Sequence, residues 1–296
     1  MNQNRSVFAA DPDGQLTDRD GIAVRIWGAR GSLPASGPEM AHYGGETCAV
    51  EIGTGNRTLI FDAGSGLVGM GTALRDRGVQ EADLFLTHLH YDHIMGLPFF
   101  ALLHDPAVRL RIHLGGAGDA QAQERIAAYF RPPFFPAPLG AFPAQVSIHG
   151  LPEGEHDLGD GLRLTAAPLT HPDGATGYRL ESADGARFAY ITDFEQDDGA
   201  GDDAVIALAR DVDLALLDAT YTPEEYDAVR GWGHAHWRAA GALATRAGAR
   251  NWGLFHHRHD RTDVDLAQIE ETVRTAFPTA FAARTGQAIR LPGKSR

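Results

Sequence analysis

Apolar and polar positions alternate with period two in several short runs, the pattern of strands with one buried face. Residues 23–27 alternate first, and Gly-Ala-Arg-Gly-Ser at 28–32 turns sharply out of them. The runs 47–52 and 57–61 predict a hairpin that ends at Asp-Ala-Gly-Ser-Gly, 62–66. Further strands are predicted over 82–87, 108–114, 161–168, 176–182, 187–192, 213–218 and 251–255. Helical spacing marks 119–129, 205–210, an Ala-rich stretch ending near 247, and 265–277, where Leu266, Ile269 and Val273 share a face. Pro223-Glu-Glu-Tyr226 is predicted to open another helix, with Thr222 as its cap and Pro223 at its first position. Residues 1–21 are polar without a sustained apolar period and read as a mobile tail, leaving 22–296 as one domain. The segment 131–138, Arg-Pro-Pro-Phe-Phe-Pro-Ala-Pro, suits neither helix nor central strand; a flap beside a site mouth is preferred over a contact with a second subunit of a homodimer. Strand and helix alternation with antiparallel-looking hairpins predicts an α/β chain of two sheets covered by helices.

Polar, metal-competent side chains recur where predicted strands end. The stretch 87–96 follows an apolar run and places His88, His90, Asp92 and His93 within six positions. Histidines two apart on an extended turn can converge on one cation, while Asp92 and His93 face a neighbouring point, so one loop can seed two metal positions. His171, Asp193, Asp218 and the pair His256 and His257 follow later strands. C-terminal strand ends are where α/β sheets keep their sites.

Composition narrows the chemistry. The 296 residues, 43% hydrophobic, suffice for a large core, and no apolar run approaches a membrane span. With no basic and apolar leader pattern, a cytoplasmic protein is expected. The lone Cys48 excludes an intramolecular disulfide and a cysteine-built zinc site, so ligands must be nitrogen and oxygen. A net charge of −13, from 26 basic and 39 acidic residues, opposes broad contact with a phosphate backbone. A small anionic substrate steered by local cations fits better, and the planar fork of Arg30 could reach its phosphate.

The string His-Leu-His-Tyr-Asp-His at 88–93 resembles the HxHxDH signature of metallo-β-lactamase fold hydrolases, nearest the branch of ribonuclease Z and the cyclic phosphodiesterases. The resemblance spans roughly residues 24–269. It implies a four-layered αββα sandwich with the site at the sheet edges, and Asp62 orienting a ligating histidine from behind. It also implies that His88, His90 and His171 hold one metal, that Asp92, His93 and His256 hold a second, and that Asp193 bridges them. His257 competes for the His256 position. Two such ions acidify the water between them, making hydroxide the nucleophile and Asp92 part of the catalytic centre. His234 resembles the branch's non-ligating catalytic histidine, and Asp218 could fix its tautomer. Where relatives usually carry a small hydroxyl residue two places on, this chain has His236. Zinc is the first expectation for the metal and manganese the second.

The reading that follows is a metal-dependent phosphodiesterase acting on a small, plausibly cyclic, phosphodiester, with no membrane partner. A lactone or β-lactam hydrolase would use the same ligands. Processing of transfer-RNA precursors is opposed by the acidic balance, and a metal-binding sensor by the retention of a full ligand set with a proton donor.

Overall fold

The computed structural model describes residues 21–197 and 199–293. The tail expected over 1–21 lies outside them, apart from Gly21, which already pairs with Pro292. The chain runs through β1 (Gly21–Gly28), β2 (Ala49–Thr54), β3 (Arg57–Phe61), α1 (Gly66–Asp76), β4 (Glu81–Leu86), α2 (Tyr91–Ile94), β5 (Arg109–Gly115), α3 (Asp119–Tyr129) and β6 (Gln145–Leu151). It continues through β7 (Gly154–Gly159), β8 (Leu162–Leu169), β9 (Ala175–Glu181), β10 (Arg187–Ile191), α4 (Ala200–Ala209), β11 (Leu214–Asp218), α5 (Tyr226–Val229) and α6 (Trp237–Ala247). It closes with β12 (Trp252–Phe255), α7 (Asp263–Ala276), β13 (Ala280–Ala282) and β14 (Ala288–Pro292).

Two seven-stranded sheets result, ordered β14-β1-β2-β3-β4-β5-β6 and β13-β12-β11-β10-β9-β8-β7. Each is antiparallel in one half and parallel in the other: β3 to β6 run parallel in the first sheet, and β10 to β13 in the second. Alternation decides the layering. Leu59, Phe61 and Phe85 point between the sheets, where they meet Tyr178, Phe188, Tyr190, Leu214 and Leu216. Their neighbours Ile60 and Leu84 point outward onto Leu67, Met70 and Leu74 of α1 and Ile126 of α3. On the second sheet Ala215, Leu217 and Leu254 face Leu208 of α4, Leu243 of α6 and Val273 of α7. Strands buried on both faces must be apolar throughout, and each such side chain contributes about 1.5–3 kcal/mol. The predicted αββα sandwich is the fold observed.

Four strands and the helices α1 and α2 gave no clear sequence signal. β7 is an exposed edge strand, Gly-Glu-His-Asp-Leu-Gly, with little apolar surface to alternate. β6, β13 and β14 are edge or near-edge strands as well. α1 carries Gly66, Gly69 and Gly71, which depress helix propensity. A Cβ on Gly71 would stand 2.7 Å from the Phe100 ring, so close packing rather than propensity selects glycine there. The helix predicted to open at 223–226 is a correction: 222–225 forms a turn closed by the Thr222 N–H on Glu225 Oε2 at 2.9 Å, and the helix starts at Tyr226. α7 begins two residues earlier than predicted because Thr262 and Asp265 form a reciprocal capping box. In the 131–138 segment Phe135 packs on Phe99, Phe130 and Phe142, whereas Phe134 remains 63% exposed.

Candidate metal centre

The loop leaving β4 turns at His90 into the single turn of α2, which carries Asp92 and His93 inward. Asp62, at the end of β3, anchors it. The Asp62 carboxylate accepts the Thr87 N–H at 2.8 Å, the Thr87 hydroxyl at 3.0 Å, the Tyr190 hydroxyl at 2.9 Å and the His93 Nδ1–H at 2.8 Å. This is the orienting position that the resemblance assigned to it.

Two groups of donors meet above this anchor. Ring nitrogens of His88, His90 and His171 lie within 4.8 Å of one another, with His90 Nδ1 and His171 Nε2 3.2 Å apart. In the second group Asp92 Oδ2 lies 3.3 Å from His93 Nε2 and 3.1 Å from His256 Nε2. Asp193 stands between the groups. Its carboxylate is 3.2 Å from His93 Nε2, 3.4 Å from His256 Nε2, 3.7 Å from His171 Nε2 and 3.8 Å from His88 Nε2. All seven residues expected as ligands are thus gathered in one place.

The backbone explains the convergence. Asp62, Asp193 and His256 each follow a strand with φ of 59°, 57° and 60°, the left-handed region that non-glycine residues seldom adopt. That conformation costs about 1–3 kcal/mol per residue and turns the side chain from the sheet face to its end.

The outward nitrogens settle which ring atoms are free. The Nδ1–H groups of His88, His93, His171 and His256 donate to Thr87 Oγ1, Asp62, the Gly233 carbonyl and Thr220 Oγ1 at 2.8–3.0 Å. With Nδ1 so engaged, each Nε2 presents a lone pair to the interior. Among the described residues, the buried Nε2 atoms of His88 and His93 have no hydrogen-bond partner. Leaving such groups unpaired costs about 1–3 kcal/mol each, and a cation would satisfy both. Charge agrees. Burial works against a charged His93, yet Asp193, Asp92, Cys48 and Asp62 together raise its proton affinity well above the ordinary value. Burial alone would raise the carboxyls of Asp92 and Asp193, but the surrounding imidazoles hold both well below the usual range. Carboxylates that hold a proton this strongly at His93 would hold a divalent cation in its place, and the mixed imidazole and carboxylate donors suit a hard or borderline ion.

Beside the centre, His234 Nδ1–H donates to Asp218 Oδ2 at 2.8 Å, and its ring stacks on His256 with centroids 4.7 Å apart. Burial opposes charge on His234, but Asp218 outweighs it, with Asp193 and Asp92 adding to the effect, and the pKa is pushed up to about 9. Asp218 is fully buried and also accepts the backbone N–H groups of Asp193, Thr220 and Ala235. His236 takes no part in this pair. Its Nδ1 accepts the Ala239 N–H at 3.1 Å and caps α6, the task a small hydroxyl residue would perform there.

Several placements differ from expectation. Arg30 is only 1% exposed and spends its fork on the carbonyls of Gly44, Arg258 and Arg261, bracing three loops instead of reaching toward a phosphate. His257 points away from the donors and contacts the Ala283 carbonyl at 2.7 Å, which leaves His256 in the cluster. Cys48 is buried with Sγ within 4.8 Å of the donor atoms of Asp92, His93 and His256, and donates to the Arg30 carbonyl.

Two contributors escaped sequence reasoning. Glu195 accepts the N–H groups of Gly231 and Gly233 and the Tyr226 hydroxyl at 2.7–3.0 Å, fixing the turn that carries His234. Gly31 lies against the His256 ring, which a Cβ would approach to 2.0 Å. Gly31 belongs to the sharp turn 28–32, but nothing local ties it to His256, and only its position after Asp193 could have drawn notice to Glu195.

Comparison with known proteins agrees with this geometry. Residues 57–257 match the model of the β-lactamase superfamily domain. A ribonuclease Z of Halorubrum lacusprofundi is 26% identical over 276 residues, covering 74% of this chain and 83% of that protein. A ribonuclease Z of Natronomonas pharaonis is 25% identical, covering 92% and 98%. Among solved structures, the metallo-β-lactamase fold protein YhfI of Bacillus subtilis superposes with a TM-score of 0.71 at 19% identity, covering 92% of this chain and 99% of YhfI. A diphosphatase of the PhnP family gives 0.66 at 18% identity, covering 93% and 100%. The short form of human tRNase Z gives 0.64 at 18%, covering 91% and 99%. With its sandwich, its gathered histidines and aspartates and these relatives, the chain belongs to the β-lactamase superfamily, as a metal-dependent hydrolase of the ribonuclease Z-like branch.

Proposed function

We propose that the protein is a phosphodiesterase with a dinuclear centre, acting on a small phosphodiester, cyclic ones included. His88, His90 and His171 would hold one divalent ion, Asp92, His93 and His256 the other, and Asp193 would bridge them. Zinc suits this imidazole-rich set first and manganese second. The observation that carries the reading is the set of four histidines whose Nδ1–H groups are engaged outward and whose Nε2 atoms surround one carboxylate. When bound, the two ions supply Lewis acidity to the phosphoryl oxygens and lower the pKa of a water that attacks phosphorus.

The chain's own residues do the rest. Asp92 and Asp193 would offset the charge of the bound cations. His234, protonated and held by Asp218, stands at the edge of the cluster where it can give its proton to the departing alkoxide. Asp218 keeps Nδ1 occupied, so Nε2 is the atom that delivers the proton.

Loading the protein with zinc or manganese and assaying bis-p-nitrophenyl phosphate and cyclic nucleotides tests this reading; no hydrolysis of any of them would refute it. His234→Ala is expected to keep its metal content and lose turnover by about 10²–10⁴-fold. Unchanged turnover would instead indicate a sensor. The relatives' name makes an RNA substrate the second reading, checked by cleavage of a transfer-RNA precursor. Lactone or β-lactam hydrolysis is distinguished by relative rates on a lactone and a phosphodiester.

A further inference from the structure

Since Arg30 is built into the scaffold, a strongly acidic chain must recognise an anionic or polar substrate through another group. A cavity of about 510 Å³ opens beside His88 and His90, a size within the range of about 300–1,000 Å³ that small-molecule sites occupy. Leu89, Leu114 and Pro168 give it an apolar wall. Besides the two histidines, three ionisable side chains line it: Arg125 from α3, Glu153 from the loop after β6 and Asp173 from the loop after β8. Among the described residues none of the three side chains makes an ion pair or a hydrogen bond, in contrast to Arg258 and Arg261, which are tied to Glu225.

The chemistry of such a cavity is specific. A guanidinium offers only donors, in a planar fork, and a carboxylate only acceptors. An occupant that uses both needs acceptors and N–H or O–H donors on one compact body, with a flat face for the apolar wall. A nucleoside has all three, whereas an alkyl or simple aryl ester has only the apolar face. We propose that this cavity seats the nucleoside of a nucleotide phosphodiester whose phosphate lies at the His88 and His90 side of the metal centre. Arg125 binds acceptor atoms of the nucleoside, Glu153 binds its donors, and the two set substrate preference. The inference rests on the phosphodiesterase reading for its reaction, but the binding it describes can be measured separately.

Two measurements on the metal-loaded protein test it. Calorimetric titration is expected to show thymidine 5′-monophosphate binding at least tenfold tighter than phenyl phosphate, with Arg125→Ala removing most of that difference. In turnover, the ratio of kcat/KM for thymidine 5′-(p-nitrophenyl phosphate) to that for bis-p-nitrophenyl phosphate is expected to exceed ten. That ratio should fall about tenfold in Arg125→Ala and in Glu153→Ala. Arg163→Ala, at the opposite end of β8 from Pro168, is the control and should keep the wild-type ratio. Equal binding of the two ligands, or a preference that survives both cavity substitutions, overturns the proposal. Hydrolysis of both esters with no preference sinks the cavity proposal and leaves the phosphodiesterase reading standing. Arg125-dependent nucleotide binding without hydrolysis of either ester does the reverse.

Discussion

Gly31 and Glu195 touch no donor nitrogen's lone pair, yet each fixes where one functional ring stands. Any side chain at Gly31 drives a carbon into the His256 imidazole, so Gly31→Ala is expected to displace that ring and roughly halve the bound metal. Elemental analysis checks this, with the metal content of the wild-type chain as the reference. Glu195 acts at longer reach. By accepting both Gly231 and Gly233 N–H groups it holds the turn whose Gly233 carbonyl also receives the His171 Nδ1–H, so one carboxylate steadies a proposed ligand and the proposed proton donor together. Glu195→Ala is expected to lower kcat about 10²-fold with KM little changed, since misplacement by about 1 Å is enough for that loss. Glu195→Gln, which keeps one acceptor, should recover part of it. A purely structural role would lower the melting temperature without moving kcat measured well below it.

At the scale of elements, the strands carry function at one end and stability nearer the other. Asp83 in β4 is buried and joins β3 and β5 by bonding Arg57 at 2.9 Å, Arg111 at 2.6 Å and His113 at 3.2 Å. Burial alone would raise its carboxyl, but Arg111, His113 and Arg57 hold it well below the ordinary value. A carboxylate depressed in the folded state contributes stability above its unfolded pKa of about 3.9, and that contribution is lost as pH falls toward the folded value. Asp83→Asn is therefore expected to cost about 3 kcal/mol at pH 7, because two arginines lose their partner, and progressively less below about pH 4. Urea unfolding of both proteins from pH 7 to pH 3 measures the difference. The same network accounts for His113: it stacks on Phe85 with centroids 4.6 Å apart, inside the first sheet and outside the donor cluster.

For the whole molecule, one apolar layer joins the sheets, with Phe61 in contact with Phe85, Tyr178, Phe188 and Tyr190. We propose that the sandwich folds as a single domain. Circular dichroism and tryptophan fluorescence are expected to report one coincident thermal transition, and two resolved transitions would refute this. Because an ion binds the folded state alone, chelation is expected to lower that transition. At a hundredfold excess of metal over Kd the loss is about 2.7 kcal/mol per site. No described helix is long and apolar enough to cross a membrane. Periodicity alone revealed most strands, because a strand buried on one or both faces must repeat its apolar positions. The crowded motif at 88–93 revealed the chemistry, because three imidazoles and a carboxylate in six residues serve no packing purpose. Edge strands such as β7 and the glycine-rich α1 stayed hidden, since exposure and close packing each erase the local pattern. Only the tertiary structure could choose His256 over His257, withdraw Arg30 from the substrate and bring Glu195 under the His234 turn. Those outcomes depend on the direction a side chain takes at a strand end and on contacts between residues dozens of positions apart, which no local run of sequence contains.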